Sequence, residues 1–193
     1  MGLDASAWET PSLCSGWAVR DVVAHLAATA ALSRVGFARE FVRAGFNVNR
    51  IIERQVALAR DHDASASFTA LRSTMNHTVS PPAPLITRII EIVVHGEDIR
   101  RPLGIKHAYS TTCIEDAIAY LAGGRYSHRY SGGKQHLRGL TLSATDAAFS
   151  VGSGPLVKGP AVALLLAASG RSAGFHELSG PGAGQLINRV PEA

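Results

Sequence analysis

The stretch that decides the fold runs Ile89-Ile-Glu-Ile-Val-Val-His-Gly-Glu-Asp-Ile-Arg100. Glu91 and His95 are four residues apart, so on a helix they lie one turn apart on one face, and Asp98 continues that stripe. The rest of this helix is apolar on nearly every side, which is typical of a buried helix. A buried ionisable stripe is unfavourable unless its members are paired or hold a metal. We therefore interpret Glu91 and His95 as two ligands of a divalent metal, with zinc expected. The alternative is a Glu–His pair on a solvated edge.

The composition indicates a folded protein with a substantial core. Of the 193 residues, 46% are hydrophobic and 18% are charged, which excludes global disorder. The net charge of +4 comes from scattered basic residues, and only 6% of the residues are aromatic, so a nucleic-acid partner is not indicated. The longest apolar run, 161–168, is far shorter than the roughly 20 residues of a membrane span. The two cysteines, Cys14 and Cys113, do not form a disulfide framework, which favours a reduced, cytoplasmic compartment.

The first 106 residues are predicted to be an all-helical unit. A helix begins at Val19 and is expected to run on as far as Gly45, although Ala18 is a poor N-cap, so Ser15 or the backbone must start it. The later helices are predicted over 48–60, 68–79 and 85–100.

His25 is the candidate for a third metal ligand. It lies in the middle of the helix that begins at Val19, where an Asp21-paired boundary histidine is the simpler interpretation. Helical bundles build metal sites from facing helices, often with an i, i+4 pair on one of them. Adding His25 to Glu91 and His95 gives two imidazoles and one carboxylate with an open position, as in catalytic zinc sites. Non-haem iron uses the same ligands, so they do not fix the metal.

Three further residues have predicted roles. Glu97 and Asp98 are candidates for orienting an imidazole from behind, although a position on the helix surface is the simpler expectation for Glu97. Cys14 has no histidine near it in the sequence, so we expect a buried structural thiol there.

Residues 107–193 are predicted to form a small α/β unit, which makes the whole chain α+β. A helix is expected over 111–121, and alternation over 136–145 indicates a strand. Two further strands, 147–152 and 155–159, are joined by a glycine turn, so the predicted sheet is a short antiparallel meander. Pro160 suits the start of the next helix and Gly170 its end.

Several motifs carry a family resemblance. Thr10-Pro-Ser-Leu-Cys-Ser-Gly-Trp-Ala-Val-Arg-Asp-Val-Val-Ala-His-Leu26 resembles the opening motif of the mycothiol-dependent maleylpyruvate isomerase family, within the DinB-like superfamily, and Glu91–Ile99 resembles its second motif. Residues 140–146, 159–160 and Ser169-Gly-Arg171 resemble its smaller C-terminal domain. Compared with the family pattern, the chain lacks the first helix, ahead of Trp8. It also carries Ala18 where Thr or Ser is common.

The resemblance implies a fold and a function. It implies a DinB-like metal-binding helical bundle over 1–106 and a small α/β C-terminal domain over 107–193. It also implies a divalent metal on His25, Glu91 and His95, mycothiol as thiol cosubstrate, and Arg171 as a catalytic and cofactor-binding residue that pairs with a carboxylate. For Arg171 the alternative is a structural role at a helix end.

The implied activity is that of a metal-dependent, mycothiol-using isomerase or thiol transferase acting on a small electrophilic substrate. Two alternatives stay open: a non-catalytic DinB-like metal-binding protein, and a hydrolase that uses metal-bound water. The expected partners are the substrate and the thiol, with no nucleic acid and no membrane. The expected assembly is a monomer or a homodimer.

Overall fold

The computed structural model describes residues 3–60, 63–123 and 133–190, and these fold into helices and one small sheet. The helices are α1 Ala5–Trp8, α2 Val19–Ala31, α3 Arg34–Arg43, α4 Val48–Arg60, α5 Ala64–Ser73, α6 Ile86–Arg100, α7 Thr111–Gly123, α8 Gly133–Leu137, α9 Ala161–Ala168 and α10 Ala183–Ile187, with a 3-10 turn at Phe175–Glu177. The strands are β1 Thr141–Ala144, β2 Ser150–Gly152 and β3 Leu156–Gly159.

The chain forms two compact units that share helix α6. The first unit contains Met1–Leu85 and His95–Lys106, and the second contains Ile86–Val94 and His107–Ala193. Helix α6 therefore gives its first nine residues to the second unit and its last turns to the first. The domain boundary that the sequence places after residue 106 stays a prediction.

Helix α2 is the centre of the first unit. It packs against α5 and α4, and its own inward face is buried from Val19 to Ala27. Ile51 and Val56 supply the buried contacts of α4, and Ala64 that of α5. Because α2 is enclosed by two neighbouring helices, a polar side chain in its middle, such as His25, is removed from water.

A carboxylate in the first turn starts α2, since the N-cap residue has no polar side chain. Ala18 is the N-cap, and its backbone N–H donates to Asp21 Oδ2 at 2.9 Å. This is the half of a capping box that an alanine permits. Arg60 at the end of α4 donates to both oxygens of Asp21, at 2.8 and 2.9 Å. Asp21, which the simpler interpretation of the sequence pairs with His25, thus forms an ion pair with Arg60.

Polar caps set helix boundaries that hydrophobic periodicity missed. The continuous helix predicted from Val19 to Gly45 is wrong: Leu32 is extended, and Ser33 starts a new helix by accepting the N–H of Gly36 at 3.0 Å. The helix predicted over 68–79 lies at Ala64–Ser73 because Asp63 caps its start. In both places a short polar side chain accepts a hydrogen bond from a backbone N–H in the first turn of the helix. Such an N–H has no acceptor within the helix itself, so the polar side chain favours a helix start at that point.

Helix α9 is the core of the second unit. Its residues are all fully buried except Val162, and they pack with Ile114, Ile118 and Leu142. Pro160 is its N-cap, as the sequence predicts. Gly170, at a φ of 83°, follows the C-cap, and its N–H donates to the Ala167 carbonyl at 3.1 Å. Within the described residues no helix is both long and apolar enough for a membrane span.

The sheet is mixed, so the predicted antiparallel meander is wrong. The strand order is β2-β1-β3, with β1 antiparallel to β2 and parallel to β3. The connection from β2 to β3 therefore crosses the start of β1, where Gly152 and Gly154 have φ values of 98° and 129°. A Cβ on Gly154 would meet the Gly139 carbonyl oxygen, so only glycine fits this crossing.

The strand predicted over 136–145 begins later than expected. Its first residues belong to the short helix α8, and β1 starts at Thr141. Gly139, at a φ of 66°, separates the two elements, which alternation of side-chain polarity does not reveal.

The Asp21–Arg60 pair predicts an acid-dependent part of the stability. Burial raises the pKa of Asp21, but the Arg60 hydrogen bond, the Ala18 N–H and the positive charge of Arg60 lower the pKa further, so it lies below its usual value. The stabilisation is then present above the unfolded-state pKa of about 4 and is lost as the pH falls through the lowered folded-state pKa. We expect Asp21→Asn to lower the unfolding free energy by about 1–3 kcal/mol at pH 7, and by less below pH ~4.

Urea denaturation at a series of pH values measures this difference. Asp116→Asn is the control, because Asp116 is exposed on α7. A deficit of Asp21→Asn that stays constant from pH 7 to pH 3 would contradict the proposed role of the ionised carboxylate.

Candidate functional site

Two histidines that are 70 positions apart in the sequence meet in the first unit. His25 lies on α2 and is only 6% exposed, and His95 lies on α6. Their ring centroids are 5.0 Å apart, and the rings are nearly perpendicular at 81°. The Trp17 ring also contacts His25, with 5.6 Å between centroids. The first and last members of the predicted ligand set are therefore neighbours.

A buried carboxylate holds His95 from behind. Asp98 is one turn further along α6 and has no exposed surface, and its Oδ2 lies 2.9 Å from His95 Nδ1. A proton on Nδ1 directed at this carboxylate leaves Nε2 with its lone pair. The sequence suggested Asp98 as a residue that orients an imidazole, and its contact with His95 fits that role.

Glu91 lies one helical turn before His95 on α6, the spacing that places two side chains on one face. Its carboxylate accepts a 2.8 Å hydrogen bond from Arg88 Nη1, and both side chains are about four-fifths buried. Of the two compact units, the second contains Glu91, whereas the first contains His25 and His95. The complete ligand set of His25, Glu91 and His95 stays a prediction.

The sequence-based interpretation of Cys14 needs correction. Cys14 is half-buried, and its Sγ lies 3.1 Å from Asp98 Oδ2 and 3.7 Å from His95 Nδ1. His95 is 81 residues away from Cys14 in the sequence, so no local spacing could have revealed this cluster. The available signal was its position inside the stretch 10–26, which carries the family resemblance.

The simpler expectation placed Glu97 on the helix surface, and this expectation is wrong. It is 6% exposed and accepts a 3.0 Å hydrogen bond from Arg101 Nε, an i, i+4 ion pair on the same helix. The periodicity of α6 did not distinguish Glu97 from an exposed residue, because its burial depends on packing in three dimensions. The structure gives this side chain a structural partner.

Arg171 follows the end of α9 in the second unit. Its backbone N–H donates to the Leu166 carbonyl at 2.9 Å, which completes the helix-end motif begun by Gly170. One guanidinium nitrogen, Nη1, lies 3.4 Å from the Ser169 carbonyl oxygen. This geometry supports the structural alternative for Arg171, and the predicted catalytic and cofactor-binding role stays untested.

The second unit also contains a cavity of about 500 Å³, lined by Gln135, His136, Arg138, Gly139 and Arg189. Arg189 Nη1 donates to the backbone carbonyls of His136 and Arg138, so this arginine ties the last described residues to the end of α8. None of the predicted site residues lines this cavity. We therefore assign Arg189 a role in holding the chain at the end of α8.

Comparisons with known proteins agree with the motifs. Residues 1–80 match the family model described as the mycothiol maleylpyruvate isomerase N-terminal domain. No curated protein sequence matches significantly.

Solved structures extend the likeness over nearly the whole chain. The crystal structure of a histidine-to-alanine mutant of the mycothiol-dependent maleylpyruvate isomerase is similar at a TM-score of 0.56 and 16% sequence identity. The crystal structure of the mycothiol-dependent maleylpyruvate isomerase is similar at a TM-score of 0.54 and the same identity. In both, the likeness covers 98% of this chain and 86% of the other.

The structure and these likenesses confirm the predicted α+β fold class, a helical part followed by a small α/β part, with a mixed sheet in place of the antiparallel one. At this identity the structural likeness speaks for the fold alone. The resemblance to the mycothiol-dependent maleylpyruvate isomerase family is thus confirmed by the family match of residues 1–80, which covers the N-terminal part of the chain.

Proposed function

We propose that this protein is a mycothiol-dependent isomerase or thiol transferase that acts on a small electrophilic substrate, with a divalent metal on His25, Glu91 and His95. The observation that carries the proposal is the 5.0 Å approach of the His25 and His95 rings. The family match of the first 80 residues and the fold support the choice of thiol and of reaction class.

The residues fit a metal with an open position. Two imidazoles that donate to one ion at about 2.0–2.1 Å place their ring centres roughly 5 Å apart, close to what His25 and His95 show. His95 has Nε2 to offer because Nδ1 is engaged by Asp98. A carboxylate has two oxygens, so the Arg88 hydrogen bond to Glu91 is compatible with a metal bond. The donor set suits zinc and also other divalent transition metals.

When bound, a divalent cation would supply the positive charge that keeps a thiol in its reactive, ionised form. The protein supplies the rest of the site. Burial of His25 under Trp17 excludes water from one side, and Asp98 fixes the orientation of His95. His95 keeps about a fifth of its side chain exposed, which leaves a path for small molecules to this ring.

The proposed chemistry balances without an oxidant or reductant. The thiolate sulfur adds to one carbon of an activated double bond, and the electron pair moves onto the electron-withdrawing group. Rotation about the resulting single bond follows. Loss of the thiolate then restores the double bond in the other geometry and returns the thiolate unchanged. If the adduct is protonated instead of expelling the thiolate, the outcome is thiol transfer.

Arg171 is our proposed partner for a carboxylate of the substrate. The support is its place in the Ser169-Gly-Arg171 element that resembles the family's C-terminal domain. A guanidinium binds a carboxylate through two parallel hydrogen bonds, which gives direction as well as affinity. A cytoplasmic location and a monomeric or homodimeric state complete the proposal as predictions.

The metal site predicts a loss of bound metal on removal of either imidazole. The purified protein should contain about one divalent ion per chain, and His25→Ala, His95→Ala and Glu91→Ala should each reduce this at least tenfold, since three ligands is the usual minimum of a catalytic site. Elemental analysis by mass spectrometry after dialysis measures the stoichiometry. His77→Ala is the matched control, because His77 is an exposed histidine of the first unit.

Circular dichroism distinguishes loss of metal from loss of the fold in these variants. His95→Ala is the more informative variant, since its side chain is less buried than that of His25. Full metal content in a folded His25→Ala protein would refute the three-ligand site.

Thiol dependence separates the proposed reaction from the two alternatives. Maleylpyruvate, the substrate in the name of the similar structures, should be converted only when mycothiol is present, and conversion should follow the metal content of the variants above. Ultraviolet absorbance follows the reaction. Conversion without thiol would favour a hydrolase that uses metal-bound water, and no conversion of any electrophile by the metal-loaded protein would favour a non-catalytic binding role.

A further inference from the structure

One loop touches both histidines of the candidate site. Trp17 packs on His25, and Cys14 contacts Asp98 and His95. The loop is tied to α6 at the same point by a 3.2 Å hydrogen bond from the Leu13 N–H to the Asp98 carbonyl. Residues 12–17 therefore fix the position of the Cys14 thiol relative to the carboxylate.

Internal hydrogen bonds make this loop a defined structure. The Ser12 hydroxyl donates to the Trp17 carbonyl at 2.8 Å and accepts the Cys14 N–H at 3.1 Å. The Trp17 N–H donates to the Cys14 carbonyl at 3.0 Å. Hydrogen bonds at both the N–H and the carbonyl of Cys14 thus fix the backbone that carries the thiol.

Two arrangements fit three polar side chains this close together. Cys14, Asp98 and His95 either bind a metal directly or form a hydrogen-bonded chain. Their donor atoms lie within 4.8 Å of one another, which alone permits either. Ligand atoms around a tetrahedral ion with bonds of about 2.0–2.3 Å lie roughly 3.3–3.8 Å apart. The observed 2.9 Å from Nδ1 to Oδ2 and 3.1 Å from Sγ to Oδ2 are shorter and match hydrogen bonds that end on one oxygen.

We propose that Cys14 is a positioning residue for His95 and acts through Asp98. The thiol S–H donates to Asp98 Oδ2, and the same oxygen accepts the N–H of His95 Nδ1. Because the carboxylate is fully buried, each donor helps to fix its orientation. The arrangement holds His95 in the tautomer whose Nε2 carries the lone pair. The expected effect of Cys14 on metal affinity rests on the proposed function. Its expected effect on the His95 tautomer does not depend on a metal.

The tautomer is tested in the metal-free protein by nitrogen-15 NMR of the histidine rings. The wild type should show His95 with the proton on Nδ1. Cys14→Ala should broaden or shift this signal toward a mixture of tautomers, and Cys14→Ser, whose hydroxyl can replace the donor, should restore it. Cys113→Ala, the other cysteine, is the matched control and should leave the signal unchanged. A His95 proton on Nε2 in the wild type would overturn the proposal.

Metal affinity provides the second readout, by competition with a chelator for zinc. Cys14→Ala should weaken binding about three- to tenfold, the value of one hydrogen bond, and Cys14→Ser by less than about twofold. Asp98→Ala should weaken it about 10- to 100-fold, as for other residues that support a ligand. Wild-type affinity in Cys14→Ala would reject the positioning role.

Cobalt substitution separates positioning from direct ligation. Without added thiol, the cobalt protein should lack a thiolate-to-metal charge-transfer band; a band that disappears in Cys14→Ala would make Cys14 a ligand and overturn the proposal. A protein that binds no metal would instead refute the proposed function, while the NMR result for His95 would still decide the hydrogen-bonded chain.

Discussion

The approach of two imidazoles from distant helices is the constraint on which the site depends. His25 is in the interior of the first unit because α2 is covered by α4 and α5, and it is 6% exposed. A buried imidazole next to a second imidazole has few favourable arrangements, and sharing a cation is one that uses both rings. The 5.0 Å separation of His25 and His95 and the perpendicular rings are compatible with that use.

The same region shows how residues behind the ligands define the site. Asp98 is fully buried and accepts hydrogen bonds from His95 and Cys14, while the Trp17 ring packs against His25. The loop over 12–17 and the last turns of α6 therefore form one hydrogen-bonded structure. In this arrangement the orientation of an imidazole depends on several side chains.

The sequence predicted the features that depend on local pattern. The spacing of Glu91 and His95 and the apolar surroundings predicted α6 within one residue of its start, and Pro160 and Gly170 marked the ends of α9. It missed features decided by long-range contacts. The place of β1 between β2 and β3 depends on a crossing at Gly154. The partnership of Cys14 with His95 depends on the packing of a loop against a helix 81 residues away.

The central claim is that His25, Glu91 and His95 converge on one cation, and an anomalous-diffraction map of zinc-soaked crystals tests it most directly. The account predicts a single strong peak about 2.0–2.2 Å from a Glu91 oxygen and from Nε2 of both histidines, with Cys14 still bonded to Asp98. A peak at Cys14 Sγ and His95 Nδ1, or none near His25, would contradict it.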